Sequence, residues 1–196
     1  MSKKFLFIFS LTLISVFFSL LIMEISLRLL NFEKWKYFET DHESFFKTDE
    51  ELGWIAKEGT YNFQETKKNN NIKKIKILED GHRNTGKNTS KDKILIIGGS
   101  FTQGWNVDDE ETFAFQIQNK TSRHKVLNFG QSGYSGLQSL LLLKRVIKSN
   151  INTKYVIYGF IPHHEYRNVA RGEWLRTLAK YKSRGHSDTP KIPYAL

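Results

Sequence analysis

The longest hydrophobic stretch of the chain lies at its N-terminus, where residues 5–23 carry no charged side chain and are rich in Phe, Leu and Ile. A helix over this stretch would be about 28 Å long, close to the roughly 30 Å of a bilayer's hydrocarbon core. Lys3 and Lys4 precede it, as in a signal peptide or a signal anchor, and no small-x-small cleavage site follows it. Residues 1–30 are therefore predicted to form an uncleaved transmembrane anchor that contacts membrane lipid through residues 5–23. A removed signal peptide and a buried core helix are the alternatives.

The position of this segment also predicts on which side of the membrane the rest of the chain lies. An N-terminal anchor usually exports the chain that follows it, so we expect the globular part to be periplasmic or extracellular. Lys3 and Lys4 on one side of the segment are balanced by Arg28, Lys34 and Lys36 on the other. The distribution of positive charge therefore does not fix the orientation.

Residues 31–90 are predicted to be a connecting region with some local structure. Their aromatic residues are irregularly spaced, which is typical of a segment that lies across a core or near lipid headgroups. Two runs, Tyr61 to Glu65 and Ile72 to Leu78, could pair as a hairpin with a polar tip at Lys67 to Asn71.

From residue 91 onwards the pattern changes to that of an α/β domain. Short apolar runs predict three strands, over residues 94–97, 125–129 and 155–161, and the residues between them predict two helices. The first helix covers residues 112–120, behind acidic residues at 108–111, and the second follows a capping-box pattern formed by Ser135 and Gln138. Strands that alternate with helices predict a doubly wound parallel sheet, of which residues 91–196 contain only part.

Composition narrows the classes of partner. The formal net charge is +10, but no basic helix or aromatic RNA-binding signature accompanies it, so nucleic acid is not an expected partner. Much of the charge is lysine in polar stretches, which indicates a solvated surface with at most a loose affinity for anionic lipids or glycans. The chain has no cysteine, which excludes disulfides, thiolate metal sites and a lipid-modified N-terminal cysteine.

The residues with candidate chemistry follow the first of the three strands. That strand runs into Gly98, Gly99 and Ser100, a sequence suited to a tight turn. If a helix begins there, Ser100 lies at its N-terminus among unpaired backbone N–H groups, which suits a nucleophile whose reaction forms an oxyanion. A phosphate-binding turn and an ordinary strand-to-helix loop fit the same residues. The carboxyl ends of parallel strands meet at one edge of the sheet, which favours a shared site there.

Two segments of this region resemble sequence blocks of the SGNH (GDSL-like) hydrolases. Residues 98–104, GGSFTQG, resemble the first block, G-D-S-x-x-x-G, and residues 126–135, VLNFGQSGYS, resemble the second. The chain is similar in particular to membrane-anchored, extracytoplasmic members, which carry a DGxR-type segment like residues 80–83. The resemblance covers about residues 80–170. It implies a three-layer, flavodoxin-like fold and a cofactor-independent serine esterase or acyltransferase, with Ser100 as the nucleophile and the Gly133 N–H as an oxyanion donor. The implied substrate is an acyl ester, on a glycan or a lipid.

Three features depart from the family pattern. Gly99 stands where the family usually has Asp, and His163 stands where the third block has an Asn that completes the oxyanion hole. His163 is therefore a candidate oxyanion donor, with a structural loop or, more weakly, a metal ligand as the alternatives for His163 and His164. No D-x-x-H spacing supplies the family's late histidine base. We therefore expect a C-terminally incomplete domain with weak hydrolysis. The alternative is a non-catalytic, membrane-anchored module that binds a glycan or a protein partner.

Overall fold

The computed structural model describes residues 2–30, 45–63, 72–149, 152–179 and 192–194. Contacts within the chain divide it into two units, residues 1–38 and residues 39–196. The predicted hairpin tip at Lys67 to Asn71 lies outside the described residues.

The first unit is built on one helix, α1, Lys3–Leu29, in which no residue is buried. Ser2 caps this helix by accepting a hydrogen bond from the Phe5 N–H at 3.3 Å. The hydroxyls of Thr12 and Ser19 donate to backbone carbonyls one turn earlier, both at 2.9 Å, so these polar groups are satisfied within the helix. The helix is 27 residues long and is long and apolar enough to cross a membrane, as the sequence predicts.

Four short strands form two antiparallel pairs at the start of the second unit. β1, Phe46–Asp49, pairs with β2, Gly53–Ala56, and β3, Gly59–Phe63, pairs with β4, Lys73–Ile77. The second pair overlaps the two segments predicted to form a hairpin: β3 shares residues 61–63 with the first segment, and β4 lies within the second. A turn at residues 50–52 joins β1 to β2. This turn is tight because the Asp49 carboxylate accepts the backbone N–H groups of residues 51 and 52 at 3.1 and 2.9 Å.

A parallel three-stranded sheet lies at the centre of the second unit. β5, Lys93–Gly98, lies between β6, Lys125–Asn128, and β7, Thr153–Gly159, and runs parallel to both. β5 covers the run predicted at 94–97, and β6 ends one residue before the end of the run predicted at 125–129. β7 begins and ends two residues earlier than the strand predicted at 155–161. The prediction of a mixed α/β protein with a parallel sheet is confirmed, and the complete doubly wound, three-layer sheet stays a prediction.

Helices follow each of the parallel strands. They are α2, Ser100–Gln103; α3, Phe113–Lys120, behind a 3₁₀ turn at Asp109–Glu111; α4, Gly136–Lys148; α5, His163–Asn168; and α6, Gly172–Ala179. The capping box predicted for α4 is present, because Ser135 Oγ accepts the Gln138 N–H at 3.1 Å while Gln138 Oε1 accepts the Ser135 N–H at 2.9 Å.

Successive residues of β5 pack into different parts of the core. Leu95 belongs to a buried cluster with Leu127 of β6 and Leu142 of α4. Ile96, the next residue, belongs to a separate cluster with Ala114 of α3. Because successive side chains of a strand point to opposite faces, α4 and α3 pack on the two faces of the sheet at β5.

The outer strand of the described sheet, β7, leaves much of its apolar surface open. Val156, Ile157 and Tyr158 are 44%, 37% and 44% exposed. A continuous apolar run of this kind is typical of a strand inside a parallel sheet with both faces covered. The expectation that further strands complete this sheet stays a prediction.

Candidate functional site

The three residues that the sequence singles out each follow a parallel strand. Ser100 begins α2 directly after β5, Gly133 lies in the turn between β6 and α4, and His163 begins α5 after β7. All three segments therefore start from the carboxyl edge of the sheet, where open α/β sheets place their ligands.

Ser100 is half-buried at the first position of α2. Neither its hydroxyl nor its N–H is hydrogen-bonded to any residue that the structure describes, while its carbonyl accepts the Gly104 N–H at 2.9 Å. The chain turns sharply after α2 because Gly104 adopts a left-handed conformation with φ +86°. The Ser100 hydroxyl is thus held on a short helix without being engaged in the fold.

The loop that carries Gly133 is attached directly to α2. The Gln131 N–H donates to the Gly98 carbonyl at 2.9 Å, and the Ser132 N–H donates to Gln103 Oε1 at 3.1 Å. A Cβ on Gly130 would lie 2.3 Å from the Gln103 backbone nitrogen, so the two segments touch through their backbones. The structure therefore brings the Ser100 and Gly133 segments together.

Gly133 itself adopts a conformation that favours glycine. Its φ is +83°, and a Cβ there would lie 3.0 Å from the indole rings of both Trp54 and Trp174. Trp54 Nε1 donates to the Ser132 carbonyl at 3.0 Å, which fixes one of these rings against the loop. The Gly133 N–H has no hydrogen-bond partner within the described ranges. This N–H is therefore not used by the described part of the fold.

A buried arginine secures the other end of α2. The Arg83 side chain is 0% exposed and donates to the carbonyls of Gln103 at 2.9 Å, of Gly104, and of Val107 at 2.6 Å. Its Nε donates to Asp109 at 2.8 Å, so its charge is paired. The first two carbonyls lie where α2 ends and lacks further intrahelical donors, so Arg83 acts as a cap on the helix that carries the candidate nucleophile.

The two histidines after β7 occupy different surroundings. His163 is exposed and makes an edge contact with the Tyr166 ring at 6.4 Å between centroids. His164 is 1% exposed, and its Nε2 lies 2.7 Å from the position that a Cβ on Gly99 would take. The ring that contacts the nucleophile turn is thus that of His164, and the oxyanion role of His163 stays a prediction.

His164 is uncharged at neutral pH. Burial lowers its pKa to about 4, and the positive charge of Arg167 and the neighbouring His163 act in the same direction. Its Nδ1 lies 2.8 Å from Tyr158 Oη, and burial raises the pKa of this phenol, which keeps its proton. A neutral histidine and a neutral tyrosine therefore form a hydrogen-bonded pair behind the turn.

Unsatisfied polar atoms concentrate around these segments. Among the described residues, four buried side-chain atoms lack a hydrogen-bond partner, and three of them belong to Gln103, His164 and Trp174. A buried polar atom without a partner costs about 1–3 kcal/mol, so such atoms are usually satisfied by water or by a ligand. All three belong to segments that contact the Ser100 turn or the Gly133 loop.

The described part of the chain offers no ready metal site, because it holds no group of three or more His, Cys, Asp or Glu residues placed to bind one. What these segments offer instead is a free hydroxyl, free backbone N–H groups and a neutral imidazole.

Several of these residues were not identified from the sequence. In the sequence, Arg83 stands out only as part of the DGxR-type segment, and nothing beside it indicates that its side chain is buried against α2. Nothing local in the sequence indicates that Gln103 binds the Ser132 loop, or that Trp54 and Trp174 flank Gly133, because these contacts join distant parts of the chain.

Comparisons with known proteins add little to this geometry. No protein-family model matches the sequence, and no curated protein matches it. One solved structure, the crystal structure of TesA, is similar at 16% identity and a TM-score of 0.35, over 51% of this chain and 57% of the TesA chain. Similarity at this level does not establish a common fold, so the interpretation of the site depends on the residues of this chain.

Proposed function

We propose that this chain carries an SGNH-type serine site for hydrolysis or transfer of an acyl ester, on a membrane anchor that holds it outside the cytoplasm. The observation that carries the proposal is the arrangement at the carboxyl edge of the sheet. The unengaged hydroxyl of Ser100 and the unengaged N–H of Gly133 lie on segments that are hydrogen-bonded to each other through Gln103 and Gly98.

The chemistry follows from the roles of these groups. Ser100 Oγ attacks the ester carbonyl carbon, and the carbonyl oxygen becomes an oxyanion that accepts hydrogen bonds from the N–H groups of Ser100 and Gly133. A base takes the hydroxyl proton and returns it to the departing alcohol, which leaves an acyl-enzyme. Water or a second alcohol then attacks the acyl group and releases Ser100.

The rate of this cycle is limited by the proton acceptor. In the SGNH pattern the acceptor is a histidine in a D-x-x-H block, and no such spacing occurs in this sequence. Removal of a triad member in a well-formed site leaves about 10³–10⁴-fold catalysis over water. We therefore expect a single reaction of Ser100 with a strong electrophile to be measurable, and repeated turnover of p-nitrophenyl acetate to be close to background.

The same missing spacing favours a second candidate function, a non-catalytic membrane-anchored module that uses this edge of the sheet to bind a glycan or a protein partner. In that case the Ser100 hydroxyl would have no enhanced reactivity.

Reaction with a fluorophosphonate probe separates the two functions. The full chain in detergent micelles is incubated with the probe beside the variants Ser100→Ala and Ser122→Ala. Ser122 is exposed and lies in the loop between α3 and β6, so its variant is the matched control. The proposal predicts that the wild-type chain and Ser122→Ala are labelled and that Ser100→Ala is not. Equal or absent labelling of all three folded proteins would favour the binding module.

A further inference from the structure

Gly99 is a glycine for reasons of space. Its backbone is extended, with φ −89° and ψ −154°, so a left-handed conformation is not what requires glycine here. A Cβ at this position would lie 2.7 Å from His164 Nε2, closer than real Cβ contacts come. The next nearest group is Arg167 Nη1, at 3.6 Å from the same point. The histidine ring therefore occupies the volume that a side chain at position 99 would need.

The ring of His164 is fixed from several sides, so it cannot easily give way. Its Nδ1 is hydrogen-bonded to Tyr158 Oη at 2.8 Å, and the two rings stack with 5.6 Å between centroids. Phe160 contacts it edge-on at 5.8 Å. The His164 side chain is 1% exposed and closely packed, so it cannot move aside to make room for a larger residue at position 99.

The hydrogen bond to Tyr158 also determines which nitrogen carries the proton. A phenol is a better donor than a neutral imidazole N–H, and Nδ1 is the partner of Tyr158 Oη among the described residues. Tyr158 therefore donates to Nδ1, and Nε2 carries the hydrogen. This N–H faces the Gly99 backbone and has no hydrogen-bond partner in the described part of the chain.

We propose that His164, held by Tyr158, is a positioning residue for Ser100: its ring fills the side-chain volume of Gly99 and so fixes the peptide between Gly99 and Ser100. Gly99 and His164 form a matched pair, because any larger residue at 99 requires a smaller one at 164. This pairing accounts for the departure from the family pattern at Gly99, since an Asp there would collide with the ring. This inference rests on the proposed function only where labelling of Ser100 is measured, because the packing of His164 against Gly99 does not depend on that function.

The matched pair makes a specific prediction about combined variants. Gly99→Ala alone pushes the turn away from the ring and slows fluorophosphonate labelling by roughly tenfold to a hundredfold, the cost of a displacement near 1 Å. His164→Asn keeps a polar group near the Nδ1 position, within reach of Tyr158, but lacks the Nε2 end of the ring. The double variant Gly99→Ala with His164→Asn is therefore labelled faster than Gly99→Ala. Gly172→Ala is the matched control, because a Cβ at Gly172 would meet nothing within 4 Å.

The experiment uses the full chain in detergent micelles and measures two quantities for each variant. The temperature is one at which tryptophan fluorescence shows that every variant is folded. The first is the rate of labelling. The second is amide hydrogen exchange in the peptide that covers residues 98–104, which does not depend on any activity. We expect His164→Ala to speed exchange of this peptide by about tenfold or more, and Gly172→Ala to change neither quantity.

The outcomes separate this inference from the proposed function. If the wild-type chain is not labelled but His164→Ala speeds exchange in residues 98–104, the proposed function is wrong and the positioning role stands. If exchange in residues 98–104 is unchanged, the positioning role of His164 is overturned whether or not Ser100 reacts. If the wild-type chain is labelled, a double variant that is labelled no faster than Gly99→Ala overturns it as well.

Discussion

Replacement of Arg83 by Met tests whether a buried guanidinium holds the helix of the candidate nucleophile. The Arg83 side chain is 0% exposed and is hydrogen-bonded to three backbone carbonyls and to the Asp109 carboxylate, which is 7% exposed. Met fills a similar volume but offers no donor. The variant therefore leaves one carboxylate without its cation and three carbonyls without this donor.

The magnitude follows from these losses. Removal of one partner of a buried ion pair costs about 3–5 kcal/mol, and each orphaned buried carbonyl adds about 1 kcal/mol where water cannot reach it. Asp109 keeps hydrogen bonds from Asn84 Nδ2 at 3.1 Å and from the Lys76 N–H at 3.3 Å, so its loss is partial. We expect Arg83→Met to lower the free energy of unfolding by about 4 kcal/mol, a large share of the roughly 5–15 kcal/mol of a typical domain.

Urea unfolding of the full chain in detergent micelles, followed by tryptophan fluorescence, measures this loss. Arg171→Met is the matched control. Arg171 is exposed and lies over the Tyr166 ring at 4.5 Å, a contact worth about 0.5–1 kcal/mol. Arg83→Lys should fall between the two, because one ammonium cannot reach all four acceptors. A loss for Arg83→Met no larger than that for Arg171→Met would refute the capping role of Arg83.

Three further predictions concern acid stability, the oxyanion loop and the anchor. The Arg145 guanidinium, helped by the backbone N–H groups of residues 51 and 52, lowers the pKa of Asp49 from 3.8 to about 2, so the charged carboxylate stabilises the fold fully above about pH 4. About 2 kcal/mol of this stability should be lost as the pH falls through 2, and Arg145→Met should remove most of that loss in urea unfolding at pH 5 and pH 2. Gly133→Ala, strained at φ +83° and crowded by two indole rings, should lose fluorophosphonate labelling while Gly172→Ala keeps it. Residues 1–30 should keep the chain in the membrane pellet after alkaline carbonate extraction, and release of the intact chain would contradict the anchor.

The elements that the sequence predicted well are those with a strong local pattern. Ile94 to Ile97 is a continuous apolar run that ends in glycines, and α4 carries a capping box together with an apolar stripe, so both were predictable without knowledge of the fold. β7 ends two residues before the strand predicted at 155–161. The apolar run continues through Phe160 and Ile161, but the pairing of β7 with β5 ends at Gly159. Strand pairing, rather than hydrophobicity, sets that boundary.

The parts that the sequence did not predict depend on contacts between distant residues. His163 and His164 are adjacent on the short helix α5, where successive side chains point about 100° apart, so one is exposed and the other is buried. A helix of six residues has too little pattern to show which of the two faces the core. The sequence singled out His163 in this segment, whereas the ring beside Gly99 in the structure is that of His164, and the oxyanion role of His163 stays a prediction.

The central claim is that Ser100 Oγ and the Gly133 N–H act on one carbonyl group. An experimental structure of the full chain after reaction with a fluorophosphonate tests it most directly. The account predicts phosphorus bonded to Ser100 Oγ, with one phosphonyl oxygen about 3 Å from the backbone nitrogens of both Ser100 and Gly133. An adduct on another residue, or a phosphonyl oxygen that points away from the Gly133 N–H, would contradict it.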